Sequence, residues 1–360
     1  MITILIFILI LSLLIVVHEF GHFIAARVNG VRVEQFSLGF GPLIFKIKIG
    51  DTEYKLNLIP LGGYVKMAGD SQLECQGKAD EYFAKPPGKR FQIIFFGPLL
   101  NYILGFLFFW LIFFMGYPGL TAKVGGLIDG YGAKAAGLQV GDKVLAVDGA
   151  KVDSWEDLQQ AIRERKIRSN VSLKVLRDNQ EFKFNVPIKD KALNDQLGAR
   201  RVLGIIGISP FDEIIEIKHG FWESAYLGFK KTTDLTAMTY SGLLRLISGK
   251  MSMRDSMTGP LGIFFITSQA AKLGLTALLH LIAVLSVSLA IFNLLPLPIL
   301  DGGHLFLLGL EKVRKKALGV KAEEIINNLG LTFLITLALL VTYNDILRLY
   351  ADKISKMAAK

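Results

Sequence analysis

From Met1 to Ala26 the chain is apolar with no charge other than that of Glu19. At about 1.5 Å per residue such a run is long enough as a helix to cross the ~30 Å hydrocarbon core of a bilayer. A helix is also what such a run must form there, because it pairs its backbone N–H and C=O groups within one segment. Inside the run stands His18-Glu19-Phe20-Gly21-His22. One helical turn separates the two histidines, so both imidazoles share a face and can reach one metal ion, with Glu19 beside them. That is half of a zinc hydrolase site, since catalytic zinc takes three protein ligands plus a water and works with a neighbouring carboxylate base. The five-residue pattern also arises by chance, and a buried His–Glu pair can be structural. An ionisable cluster in a membrane segment is costly, however, and functional by default. The rest of the chain has to supply a third ligand at a matching depth.

Hydrophobic residues make up 52% of the 360 residues, too many for an ordinary soluble protein. The formal charge of +10 raises the possibility of nucleic acid, but no Lys/Arg run with interleaved aromatics is present, and nucleic-acid binding is not expected. Cys75, the only cysteine, excludes an intramolecular disulfide and a zinc site of several thiolates, so a metal must use His and carboxylate. The first apolar run lacks the basic n-region and small-residue cleavage site of a signal peptide and is expected to be retained.

The expected fold class is an α-helical multi-pass membrane protein with about four transmembrane helices, a cytoplasmic-side β-hairpin region and an inserted extracytoplasmic α+β domain. The expected segments are 1–28, 92–116, 276–304 and 329–350, with a β-rich loop at 29–91 and an amphipathic helical region at 211–275. Arg27, Arg32, Lys85, Lys89 and Arg90 flank the first loop, and Lys312, Arg314, Lys315, Lys316 and Lys321 crowd the loop after 304, so both are expected in the cytoplasm. In the first loop Phe45, Ile47 and Ile49, then Tyr54, Leu56 and Leu58, alternate with polar residues about a Gly50-Asp51 turn, a hairpin pattern. It reads either as packing for the helices or as an edge that accepts an extended peptide. Glycines in Leu38-Gly39-Phe40-Gly41-Pro42 and Leu61-Gly62-Gly63-Tyr64 are expected to mark tight turns. Asn101, in Gly97-Pro98-Leu99-Leu100-Asn101, is expected to bond another helix or a site.

Residues 121–210 turn soluble in composition. Gly125-Gly126-Leu127-Ile128, Ala135-Ala136-Gly137-Leu138 and Val140 through Gly149 give short strands with glycine turns, and Ser154-Trp155-Glu156-Asp157-Leu158 reads as an N-capped helix start. This stretch resembles a PDZ domain of the bacterial type, a module that binds peptides by strand addition. Between 218 and 250, Phe221, Trp222, Tyr226, Phe229 and Leu235 stand against Lys230, Lys231 and Asp234; either a helix at the outer membrane surface or one packed on the PDZ fold is expected.

Asn293-Leu294-Leu295-Pro296-Leu297-Pro298-Ile299-Leu300-Asp301-Gly302-Gly303-His304 closes the third apolar segment, where two prolines end the regular helix and Asp301 follows. The first and third segments run in the same direction, and His18 lies about 26 Å along its helix, in the inner half of the core. The depths agree, so Asp301 can be the third ligand.

With these residues the chain resembles the site-2 protease family of intramembrane zinc metalloproteases, within it the bacterial type that regulates sigma-E, with one PDZ domain. His18-Glu19-Phe20-Gly21-His22, Gly97-Pro98-Leu99-Leu100-Asn101, Met257-Thr258-Gly259-Pro260 and Asn293 through His304 carry the likeness. The resemblance implies Zn2+ as cofactor, His18, His22 and Asp301 as its ligands, Glu19 as catalytic base, and Asn293 with Asn101 at the substrate. It implies cleavage of single-span transmembrane proteins, anti-sigma factors or signal-peptide remnants among them, after a first cut outside the bacterial inner membrane. The 31–67 loop would match the family's membrane-associated β region. His219, His280 and His304 are not needed as ligands. A metal-ion transporter and a catalytically inactive PDZ-bearing adaptor are the alternatives; the first has no use for Glu19 beside His18, and an intact Glu19 argues against the second.

Overall fold

Helices that are apolar all round bury no preferred face in water, so their packing depends on residues small enough to let backbones approach. The computed structural model describes residues 2–163, 169–194, 200–252, 258–316 and 319–358, and Met257 of the sequence motif lies outside them. The chain divides into two compact units, Met1–Ile112 with Ala225–Lys360, and Phe113–Ser224. It begins with α1 (Ile2–Val28), β1 (Val33–Ile49), β2 (Thr52–Met67) and α2 (Pro87–Met115). The inserted unit holds β3 (Tyr117–Leu120), β4 (Val124–Leu127), α3 (Gly132–Ala135), β5 (Lys143–Val147), β6 (Ala150–Lys151) and α4 (Trp155–Arg163). It continues with β7 (Asn170–Arg177), β8 (Gln180–Pro187), β9 (Lys189–Asn194), β10 (Arg200–Ile205), β11 (Ile208–Pro210) and β12 (Ile214–Ile217). Then come α5 (Phe221–Ile247), α6 (Pro260–Leu273), α7 (Leu275–Asn293), α8 (Asp301–Arg314) and α9 (Val320–Ala358). Among the described residues, 4 helices are long and apolar enough to cross a membrane: α1, α2, α7 and the Val320–Arg348 part of α9.

The regular helix of the third segment ends ahead of the two prolines, as the sequence led us to expect. Helix α7 ends at Asn293 and a new helix starts at Asp301, with Pro296 and Pro298 between them. The hairpin turns at Gly50-Asp51 as expected, with Ile49 opposite Thr52, but both strands also bend and pair twice. Residues Glu53–Leu56 pair with Phe45–Lys48 and again with Gln35–Leu38, while Phe36–Leu38 pair in turn with Gly63–Val65. Gly39 and Gly41, both at φ +83°, make the bend inside β1 where a turn between strands was expected. The doubled sheet carries Gly63, Val65 and Met67 back to α1.

Helix α6 forms a separate helix within the 211–275 region expected to be helical. Asp345 of α9 is buried and accepts the N–H of Gly259 (3.1 Å) and of Gly262 (2.8 Å), so its carboxylate caps the N-terminus of α6. Pro260 takes the first helical position, where no N–H is needed, and a Cβ at residue 259 would stand 2.7 Å from the Asp345 carboxylate. Thr258-Gly259-Pro260-Leu261-Gly262 is thus the sequence of a helix start built around a carboxylate from another helix.

Helix α5 occupies the region expected to be an amphipathic helix. It packs along α2 in the opposite direction: Gly228 meets Trp110, and Thr236 Oγ1 lies 3.0 Å from Tyr102 Oη. Gly228, Thr232 and Thr236 recur every fourth residue and let the two backbones close. The aromatic stripe points away from this contact, with Trp222 81% and Phe229 59% exposed, while the small residues face α2.

In the inserted unit β6-β5-β7-β8 form an antiparallel sheet over a core of Val144, Val147, Leu158, Val171, Leu173 and Val175. Ser154 caps α4 as expected: its Oγ accepts the Asp157 N–H (3.1 Å), and Asp157 returns a bond to the Ser154 N–H (3.0 Å). Asp142, buried, takes both Nε and Nη2 of Arg177 at 2.7 Å.

The α2–α5 contact is open to a direct check. A Cβ at Gly228 would stand 2.8 Å from the Trp110 backbone nitrogen. Gly228→Leu should therefore force α5 away from α2 and lower the thermal unfolding temperature of the purified protein. An unchanged unfolding temperature in Gly228→Leu would refute the packing.

Candidate active site

The site begins with a helix crossing. Gly21 of α1 faces Gly97 of α2 so closely that a Cβ at residue 21 would be 2.2 Å from the Phe96 carbonyl oxygen and 2.8 Å from Gly97 Cα. This approach sets His22 Nδ1 2.9 Å from the Ile93 carbonyl oxygen. A carbonyl only accepts, so Nδ1 carries the proton and the Nε2 lone pair is free for a metal. His22 Nε2 faces His18 Nε2 at 3.2 Å. Asp301, the first residue of α8, completes the group: Oδ2 is 3.1 Å from His18 Nε2 and Oδ1 is 3.5 Å from His22 Nε2. Just before it, Ile299 stands at φ +74°, a left-handed conformation that a β-branched side chain tolerates poorly. Strain of that kind, ~1–3 kcal/mol, persists where the surroundings dictate the backbone.

Three acceptor atoms in mutual contact need a cation between them. Zinc bonds of ~2.0–2.1 Å at tetrahedral angles separate ligand atoms by ~3.3 Å, and the three observed spacings bracket that value. Asp301 Oδ2 is buried without a hydrogen-bond partner among the described residues, a need that a cation between the three atoms would meet. Among the described residues no other group of three or more His, Cys, Asp or Glu side chains fits a metal. The donor set of two imidazoles and a carboxylate suits zinc.

The sequence matches Peptidase family M50 over residues 6–337. The chain belongs to this family. It is a zinc metalloprotease of the site-2 type, with zinc as its metal. A Clostridium perfringens protein with a provisional zinc-metalloprotease name is 33% identical over 341 residues, spanning 93% of this chain and 96% of its own. The Bacillus licheniformis zinc metalloprotease RasP is 30% identical, spanning 97% and 99%. The Bacillus subtilis regulator of sigma-W protease RasP is 28% identical over the same shares. Of solved structures, the PDZ domain of an SdrC-like protein from Listeria monocytogenes covers 27% of this chain and 90% of its own at 22% identity, with a TM-score of 0.21. A score that low constrains nothing.

In this protease Glu19 lines a cavity of about 250 Å³ together with His22, Asp301 and His304. A Cβ at Gly63 would be 3.0 Å from Glu19 Cγ, so strand β2 passes directly against the carboxylate-bearing side chain. Asn293 Nδ2 is 3.5 Å from His18 Nε2 and borders the cluster. Asn101 does not. It is 0% exposed, its backbone oxygen accepts from Ser286 Oγ (2.7 Å), and its side chain has no partner among the described residues. Its burial between α2 and α7 fits the expectation that it bonds another helix or a site. His280 rests edge-on to Phe109, and His219 lies in the inserted unit, 3.2 Å from Glu223.

Sequence reasoning missed the glycines as site residues. A Cβ at Gly97 would fall 2.3 Å from His22 Nε2, the metal-facing atom. Gly97→Ala should therefore displace the imidazole and lower zinc content by at least ~10-fold with every ligand residue intact, measured by metal analysis of the purified protein. Full zinc occupancy in Gly97→Ala would show that His22 does not occupy this position.

Proposed function

We propose that the protein cleaves single-span membrane proteins within or beside their transmembrane segments, with His18, His22 and Asp301 holding zinc and Glu19 as the base. The observation that carries this reading is the meeting of two imidazoles on α1, a helix apolar enough to cross a membrane, with a carboxylate at the start of α8, beside a fourth ionisable group. Zinc held there supplies Lewis acidity and lowers the pKa of a water towards ~7. A Glu19 carboxylate oxygen takes the proton of the attacking water and delivers it to the leaving nitrogen. Asn293 Nδ2, beside His18, donates to the substrate backbone. A substrate helix hides its carbonyls in internal hydrogen bonds and must unwind first; the outer edge at 63–65, next to Glu19, offers backbone groups for strand addition.

In this reading the protein sits in the bacterial cytoplasmic membrane with the site near the cytoplasmic side and a PDZ domain at 121–210 outside, as the basic loops around 27–32, 85–90 and 312–321 support. The sigma-W name of the Bacillus subtilis relative supports anti-sigma factors as substrates. Glu19→Gln should retain zinc and lose at least ~10²-fold of cleavage of a single-span reporter, whereas His22→Ala or Asp301→Ala should lose zinc as well. Near-normal turnover by purified Glu19→Gln would remove the mechanism.

The PDZ domain acts as a size filter, admitting substrates whose outer domains are already trimmed. Strands β3 and β12 pair Leu120 with Ile214, so the ends left by deleting residues 121–210 are already adjacent. The deleted protease should cut untrimmed substrate that the intact one spares. Weaker cleavage of trimmed substrate would instead identify a tether, and a folded deletion that still ignores untrimmed substrate refutes the filter.

A further inference from the structure

Arg90 and Glu311 are charges that the catalytic reading leaves unused. Arg90 was expected to serve as one of the basic loop residues that orient the chain, yet it is only 5% exposed and points inward. Its Nη2 lies 2.5 Å from Glu311 Oε1, its guanidinium stands over Phe83 with Cζ 5.4 Å from the ring centroid, and its Nε has no partner among the described residues. Both residues line the cavity that Glu19, His22 and Asp301 also line. A buried ion pair is weak as a source of stability, because desolvation offsets the attraction, so this one calls for another role.

The pair closes a ring of polar links among three helices. Helix α1 is tied to α2 by His22 Nδ1 and the Ile93 carbonyl, α2 to α8 by Arg90 and Glu311, and α8 to α1 by Asp301 with His18 and His22. Arg90 and Ile93, one turn apart, share a face of α2. Glu311 lies about 15 Å along α8 from Asp301. Helix α8 needs this second anchor because residues 294–300 break it from α7, so no continuous helix dictates its direction.

We propose that Arg90 and Glu311 are a positioning pair: by tying α2 to α8 they set the separation of His22 from Asp301, and with it the affinity and coordination geometry of the metal site. The inference rests on the assignment of His18, His22 and Asp301 as zinc ligands. It is tested on the full-length purified protein by chelator competition for zinc and by the visible absorption of the cobalt-substituted form. Glu311→Gln and Arg90→Ala should each weaken zinc binding by about 10-fold, the lower end of what loss of a group bonded directly to a ligand costs, because the pair acts through α8, and should change the cobalt bands. The double variant should be no worse than the single ones, because the two act as one link. Arg90→Lys, which keeps the charge, should recover part of the affinity and serves if Arg90→Ala does not fold. Wild-type affinity and cobalt spectrum in folded Glu311→Gln and Arg90→Lys overturn the proposal, as do additive losses with an unchanged spectrum, which mark a merely structural pair. His22→Ala reports on the ligand assignment separately: if it binds zinc as tightly as wild type, that assignment fails whatever the pair does.

Discussion

Removing an ionised group from water costs several kcal/mol unless partners compensate it, and this protein gathers His18, Glu19, His22 and Asp301 at one point among apolar helices. Much of the surrounding architecture can be understood as the means of keeping those groups together. The Ile93 carbonyl takes the proton of one imidazole and so commits its other nitrogen to the centre. A divalent cation turns three acceptors that would otherwise compete for protons into a mutually compatible set. Without that charge balance the same residues would be among the least favourable to bury in the chain.

The scaffold that satisfies this constraint uses two devices repeatedly. The first is a glycine where helices cross: Gly21 on Gly97, Gly105 on Val287 and Gly228 on Trp110 each place a backbone where a side chain would otherwise stand. The second is a carboxylate that serves backbone N–H groups, from far along the chain in Asp345 and from a few residues on in Glu81. Asp345 satisfies the start of α6, and Glu81 accepts the N–H groups of Gln76, Gly77 and Lys78 and the Cys75 thiol. Burial works against ionisation of Glu81, but those hydrogen bonds hold its carboxyl below the ordinary range.

Periodicity and residue type made much of this legible in advance. His18, Glu19 and His22 follow from helical spacing, and Asp301 from matching depths, because both arguments use only local geometry and bilayer thickness. The four apolar helices and the Gly50-Asp51 turn were readable for the same reason. What stayed hidden depends on which surfaces meet. Nothing local distinguishes Gly97 from a glycine in any apolar helix, or tells that Asp345 belongs to α6. The pairing of α5 with α2 was equally hidden, because the Gly228, Thr232 and Thr236 face that meets α2 carries no signal of its partner.

The break between Asn293 and Asp301 has a consequence for the supply of the second reactant. A continuous helix would consume its own carbonyls, whereas residues 294–300 turn instead, with the Leu297 N–H bonded to the Leu295 carbonyl and the Leu300 N–H to that of Leu297. Hydrolysis consumes one water per bond cut, and backbone that is not closed in a helix attracts water. The interruption that brings Asp301 beside the histidines therefore also makes its surroundings more hydrophilic than an unbroken apolar helix would.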